Sequence, residues 1–218
     1  SGNGKIPAGT TLLWDGDDVD SQALKRLVPG CRRARETGCA NLESDADGVA
    51  VLYAPLLPLR RLLVLGGGLD ALPVVNMAAE LGWRVTIADH RPAYLEKGVF
   101  SAAERALLID PARMSRELDP SAFDAIIVMS HHLLTDQTYL AQLADTAVSY
   151  IGVLGPRARR DRLLGALGSA GDALRDRLRG PVGIDIGADA PESIALSLLA
   201  EIHATLAGRS GEGLTNKS

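Results

Sequence analysis

The chain has 218 residues, 46% of them hydrophobic and 23% charged, with a formal net charge of −4. This composition is globular, and a chain of this length builds one good core, or one core with a small appended unit. The slight acidic excess and an aromatic content of only 4% exclude nucleic acid as an expected partner, since little neutralises a phosphate backbone and few rings stack on bases.

In chain order, Ser1 to Thr10 is rich in Gly and Pro, with a single Lys5 and no apolar stretch behind it. It matches neither a signal nor a transit peptide, so a cytoplasmic location is expected. Cys31 and Cys39 have seven residues between them, unlike a zinc knuckle or a redox pair, and read as ordinary thiols. Between Thr10 and Asp47 the acids Asp15, Asp17, Asp18 and Asp20 mix with Lys25, Arg26, Arg32, Arg33 and Arg35, and no helical or strand period persists. A small, loosely specified unit is therefore expected over residues 1–58. Val49 to Tyr53 reads as a strand, and Pro55 and Pro58 mark a linker, because proline removes a ladder donor.

From Arg60 the pattern becomes regular. Leu62 to Leu65 reads as a strand, Gly66-Gly67-Gly68 as a turn, the apolar stretch to Leu81 as a helix, and Val85 to Ala88, ending at Asp89, as a second strand. Further strands are expected at Ala106 to Ile109, Ala125 to Met129 and Tyr150 to Leu154, and helices at Thr135 to Thr146, Pro156 to Leu167 and Pro191 to Leu206. In the last helix Ile194, Leu198, Ile202 and Leu206 recur every four residues, with Asp189 as the expected cap three residues before Glu192 and Pro191 near the first helical position. Apolar strands alternating with helices predict an α/β domain over 59–208, its mostly parallel sheet covered on both faces. The tail 209–218 is polar and expected to be mobile. The longest apolar runs fall far short of the roughly 20 residues that span a bilayer, so no membrane contact is expected.

The strongest chemical signal is Gly66-x-Gly68-x-x-Ala71 between strand and helix, with Asp89 twenty-one residues beyond Gly68 at the end of the next strand. Gly66 permits the tight turn, Gly68 admits a pyrophosphate close to the backbone, and Ala71 lets the helix lie against the sheet. This is a dinucleotide fingerprint: Gly66, Gly67 and Gly68 would cradle phosphate at the helix N-terminus, and Asp89 would accept from a ribose hydroxyl. Arg91 would stack on a base or meet a 2′-phosphate, leaving NAD and NADP both open. The bland alternative is a tight turn and nothing more. Asp70 inside the turn repels phosphate unless it points away.

These segments resemble the xanthine dehydrogenase accessory proteins of the XdhC/CoxI type. The resemblance covers about residues 60–207 and rests on Leu62 to Ala71, Asp89-His90-Arg91-Pro92, Met129-Ser130-His131-His132 with Asp136, and Tyr150 to Arg157. Above all it rests on Pro181 to Ala188 running into Pro191-Glu192-Ser193-Ile194-Ala195. It implies a Rossmann-like doubly wound domain in a factor that binds molybdopterin cofactor and hands it to an apo molybdenum hydroxylase. Departures are Gly66-Gly67-Gly68-Leu69 where the family has Gly-Ala-Gly-His, and Ser130 where it has threonine. Residues 1–58 show no counterpart of the family's N-terminal domain.

Three further groups compete with bland readings. His131 and His132 follow the fourth strand, where an open α/β sheet places its crevice. One of them would face a ligand; with Asp136 they make only a weak metal pattern, and the bland alternative is a surface histidine beside a core one. Arg157, Arg159, Arg160 and Arg162 crowd a helix start after Gly155-Pro156, where cations oppose the helix dipole and an anion, such as a phosphate or pterin tail, would offset them. The alternative is a solvated basic face. Asp185, between Gly183 and Gly187, reads from spacing as a self-bonded turn; only the resemblance makes it a site residue.

The leading expectation is a cofactor carrier without turnover. Its rivals are an NAD-dependent dehydrogenase of the siroheme-synthesis kind, and a degenerate Rossmann module acting through protein contacts. The oligomeric state stays open between monomer and homodimer.

Overall fold

The structure is a computed structural model that describes residues 6–16, 22–44 and 48–216. The chain divides into two compact units, Ser1–Pro58 and Leu59–Ser218.

The first unit holds helices α1 (Gln22–Lys25) and α2 (Val28–Thr37) and an antiparallel hairpin of β1 (Asn41–Ser44) and β2 (Ala50–Tyr53). Its elements are better specified than the mixed charge pattern suggests. Pro29 falls in the first turn of α2, where its missing N–H breaks no bond, and Gly38 closes the helix with φ 66°. The bare backbone of Gly30 lets the Tyr53 ring lie against the helix, and Arg33 grips Glu43 with both Nε and Nη2. The acids Asp17, Asp18 and Asp20 lie outside the described residues.

The second unit is built on a six-stranded parallel sheet of order β5-β4-β3-β6-β7-β8. Its strands are β3 (Arg61–Leu65), β4 (Arg84–Asp89), β5 (Arg105–Leu108), β6 (Ala125–Val128), β7 (Tyr150–Val153) and β8 (Leu178–Arg179). The first strand of this sheet, β3, is central, and the order reverses between it and β6, as in doubly wound nucleotide-binding sheets. The strands are apolar throughout because both faces are covered: Leu62, Leu63, Val64 and Leu65 are all fully buried. Leu62 and Val64 join one core beneath α3 (Ala71–Glu80) and α9 (Pro191–Leu206); Leu63 and Leu65 join another beneath α6 (Leu133–Leu143) and α7 (Arg157–Ala166). Each such leucine contributes about 1.5–3 kcal/mol on burial. Smaller helices α4 (Pro92–Gly98), α5 (Met114–Glu117) and α8 (Ser169–Leu174) complete the layers. Among the described residues no helix is long and apolar enough to cross a membrane.

In the second unit the expected strands and helices fall within three residues of their observed bounds, and the short elements α4, α5, α8 and β8 are additions, as are α1, α2 and β1 in the first. The start of α9 differs in its chemistry. Asp189 does not cap it; the Ser193 hydroxyl instead accepts the backbone N–H of Asp189 and of Ala190, at 3.1 and 3.0 Å. After α9, Gly208 turns with φ 62° and Arg209 N–H bonds Ala204 O at 2.8 Å. A short turn follows at Leu214–Asn216, and the last two residues lie outside the described ones.

Candidate functional site

At the carboxyl edge of the sheet, β3 leads through its glycine turn to α3 on one face, and β6 leads through Ser130 to His132 into α6 on the other. A crevice opens at such a point. Gly66 is required there: its φ is 130°, and a Cβ would stand 2.5 Å from the carbonyl of Met129 and 2.6 Å from Ser130 N. The turn therefore lies directly on the end of β6. Ala71, fully buried, lets α3 close on the sheet.

Asp89 ends β4 with a fully buried carboxylate. Oδ2 accepts Gly67 N–H at 2.6 Å and Arg91 Nη2 at 2.8 Å; Oδ1 accepts Arg91 N–H at 2.8 Å and Nε at 2.9 Å. Burial raises the Asp89 pKa, but these bonds from Arg91 and Gly67 outweigh it and hold the carboxyl below its usual value. The group expected to meet a ribose is thus committed to locking the turn onto β4. Arg91, expected against a base or phosphate, pairs with Asp89, donates to Ser130 O at 3.3 Å and lies 3.7 Å over the Tyr94 ring.

Across the crevice, Asp136 is equally buried. Oδ1 accepts Ser130 N–H at 3.2 Å and its hydroxyl at 2.5 Å, and Oδ2 accepts Arg159 Nη2 at 2.6 Å. Ser130 is thereby held at N–H, hydroxyl and carbonyl, and the next residue, His131, adopts φ 60°. Non-glycine residues in this region are strained and persist where their surroundings dictate it. His131 Nε2 stands 2.7 Å from Asp70 Oδ2, with side-chain exposures of 55% and 27%. The hydrogen bond to Asp70 raises the His131 pKa, opposed by desolvation. Asp70 does not point away from the turn: its Oδ1 would stand 2.4 Å from a Cβ on Gly68.

The neighbouring histidine has a different task. His132 Nδ1 is 2.9 Å from Thr135 Oγ1 and accepts Thr135 N–H at 3.3 Å, capping α6. With Asp136 buried in its own pair, no cluster of three metal-ligating side chains exists among the described residues. Tyr139, within the electrostatic reach of Asp89, Asp136 and Arg91, is fully buried, and its hydroxyl has no hydrogen-bond partner among the described residues. Burial, then the charges of Asp89 and Asp136, push its pKa up. Neither the Tyr139 phenol nor the Asp70–His131 and Asp136–Arg159 pairs carry a sequence signal, since the partners share no motif.

Of the arginines expected to gather an anion, Arg159 is committed to Asp136, and Arg160 donates to Leu178 O, Arg175 O and Asp161. Arg157 remains exposed at the start of α7, next to Gly155 (φ 123°), and pairs with no carboxylate among the described residues. Asp185 is exposed in the segment before α9 and accepts no hydrogen bond from the described residues. The self-bonded turn is therefore not formed. The far end of α9 lies at the amino edge of the sheet, where His203 stacks on Trp83 and Arg60 covers that ring. Its start accordingly faces the carboxyl edge, while the chain just before Asp185 is bonded farther along the helix, Gly183 N–H to Glu201 at 2.7 Å and Ser197 Oγ–H to Ile184 O at 2.5 Å.

Comparison with known proteins is consistent with this architecture. Residues 62–202 match the family described as the XdhC Rossmann domain. The chain is 38% identical over 148 residues to a Bacillus subtilis (strain 168) protein described as a probable subunit of xanthine dehydrogenase, covering 68% of this chain and 43% of the relative. It is 28% identical over 187 residues to the uncharacterized protein YqeB of Escherichia coli (strain K12), covering 83% of this chain and 34% of the relative. A crystal structure described as a xanthine dehydrogenase from Bacillus halodurans superposes with a TM-score of 0.61 at 29% identity, covering 76% of this chain and 50% of that one. The chain thus spans half or less of the length of these relatives. With the matched segment running from β3 into α9, the chain belongs to the XdhC Rossmann-domain family.

Proposed function

We propose that this chain is the cofactor-holding part of a maturation factor for a xanthine dehydrogenase-type molybdenum hydroxylase, carrying molybdopterin cofactor without turnover. The observation that carries the reading is chemical. Two adjoining strand ends, after β6 and β7, present His131 and exposed Arg157 to the same edge, a pair of basic side chains suited to a polyanionic ligand. The relatives named for xanthine dehydrogenase add support.

The donor set favours one ligand class over another. A dinucleotide needs a free cradle over Gly68 and a free acid for its ribose; here Asp70 fills the first and Arg91 occupies the second. These contacts weigh against the NAD-dependent dehydrogenase reading. A pterin with an anionic tail asks for cations and for a carboxylate that accepts from ring amino groups. His131 and Arg157 would hold the tail, and Asp185 would accept from the ring. When bound, the group supplies the molybdenum centre used by the recipient enzyme. The chain itself binds, orients and shields, and the hydrogen bond to Asp70 favours the proton on His131.

The experiment is reconstitution of an apo molybdenum hydroxylase with and without the protein. Activity should rise with it, and fall back with His131→Ala and with Asp185→Ala while their melting temperatures stay close to wild type. Multiple-turnover NADH oxidation, or reconstitution indifferent to the protein, overturns the reading.

A further inference from the structure

The carboxylate of Asp70 lies beside the bare backbone of Gly68, the position over which a glycine turn of this kind admits a diphosphate. The missing side chain of Gly68 leaves room for Asp70, whose Oδ1 would stand only 2.4 Å from a Cβ at that position. Helix capping does not explain the position, because Asp70 makes no side-chain bond to the first turn of α3. What holds it is His131, 2.7 Å from the other carboxylate oxygen. That histidine is presented on a backbone fixed from three sides: Asp136 takes the Ser130 N–H and hydroxyl, and Arg91 takes the Ser130 carbonyl. The carboxylate is thus an anion of the chain itself, seated beside an anion's place and latched by an imidazole.

We infer that Asp70 is a specificity-determining residue, an internal anion that excludes diphosphate groups, and with them common dinucleotides, from the glycine turn. Its effect is electrostatic and steric together. A diphosphate entering the turn meets a like charge at contact distance and must also break the Asp70–His131 pair to move it. The rest of the fingerprint, Gly66 to Ala71 with the uncapped start of α3, is intact beneath it. The inference does not depend on which ligand the crevice carries, so its failure and that of the carrier reading are separate results.

The test is calorimetric titration of the full chain with inorganic pyrophosphate, using wild type, Asp70→Asn and Asp70→Glu. Asn keeps the size and removes the charge; Glu keeps the charge. Asp70→Asn should bind pyrophosphate at least about tenfold more tightly than wild type, and Asp70→Glu should stay within about threefold of wild type. Asp70→Ser, smaller and neutral, should reproduce the gain if the Asn variant is poorly folded. Equal affinity of wild type and both neutral variants, whether tight or undetectable, overturns the inference.

Discussion

Three carboxylates meet at the carboxyl edge of the sheet, and two differ from the third. Asp89 and Asp136 are fully buried, each with a guanidinium and backbone donors around it. Asp70 is partly exposed and holds only an imidazole that is itself more than half exposed. Buried pairs are costly to break, because the remaining partner is left charged and dry, whereas exposed pairs are screened and cheap to rearrange. The lesson is a division of labour: Asp89 and Asp136 fix the two walls of the crevice, and Asp70–His131 is the pair free to change when something binds.

The sharpest way to break that division is at the wall itself. Gly66→Ala should destabilise by about 3 kcal/mol or more, since a Cβ meets the Met129 carbonyl and the residue must keep a positive φ. Urea denaturation measures it, and a tolerated alanine would show that the turn does not rest on β6.

Asp136→Ala should cost about 3 kcal/mol, because Arg159 and the Ser130 N–H lose their acceptor together. The same denaturation curves should show Asp70→Asn losing less than about 1 kcal/mol. Equal losses in the two variants would erase the distinction between wall and movable pair.

Acidity separates the pairs again, with opposite signs. The folded pKa of Asp89 lies below its unfolded value of about 3.9, so its contribution is present above that pH and fades as pH falls through the folded value. His131 has a raised folded pKa; its contribution is complete below the unfolded value of about 6.5 and is lost as pH rises through the folded one. Asp70, Asp136 and Arg159 all act on it, Asp70 most. Because the histidine is exposed, the loss should be only a few tenths of a kcal/mol. It should appear as a small drop in the wild-type urea midpoint between mildly acidic and mildly alkaline pH, and vanish in Asp70→Asn.

Much of the scaffold is legible in the sequence, and the reasons are local. Leu62 to Leu65 reads as a strand because four successive apolar residues are needed where both faces of a sheet are covered. The glycine turn is legible because backbone geometry there admits little else. The N-terminal helix α2 is hidden by Pro29 and Gly30, which punctuate a chain everywhere except the first turn of a helix or under an aromatic ring. The site is harder for a different reason. A carboxylate after the second strand looks the same whether it meets a ribose or an arginine two residues on, and only the observed geometry shows Asp89 joined to Arg91. The Asp70–His131 pair joins residues 61 apart in the chain, and no period or motif records such a meeting. Asp185 accepts no bond from the described residues, and only the family resemblance marks it.

The central claim is that the movable pair and its cationic neighbour serve a molybdopterin ligand while the buried pairs serve the fold. Equilibrium dialysis of the full chain against molybdopterin cofactor, comparing wild type with His131→Ala and Arg157→Ala, tests it most directly. The account predicts retention by wild type and marked loss in both variants, with urea midpoints that barely move. No retention by wild type, or equal retention by all three proteins, would contradict it.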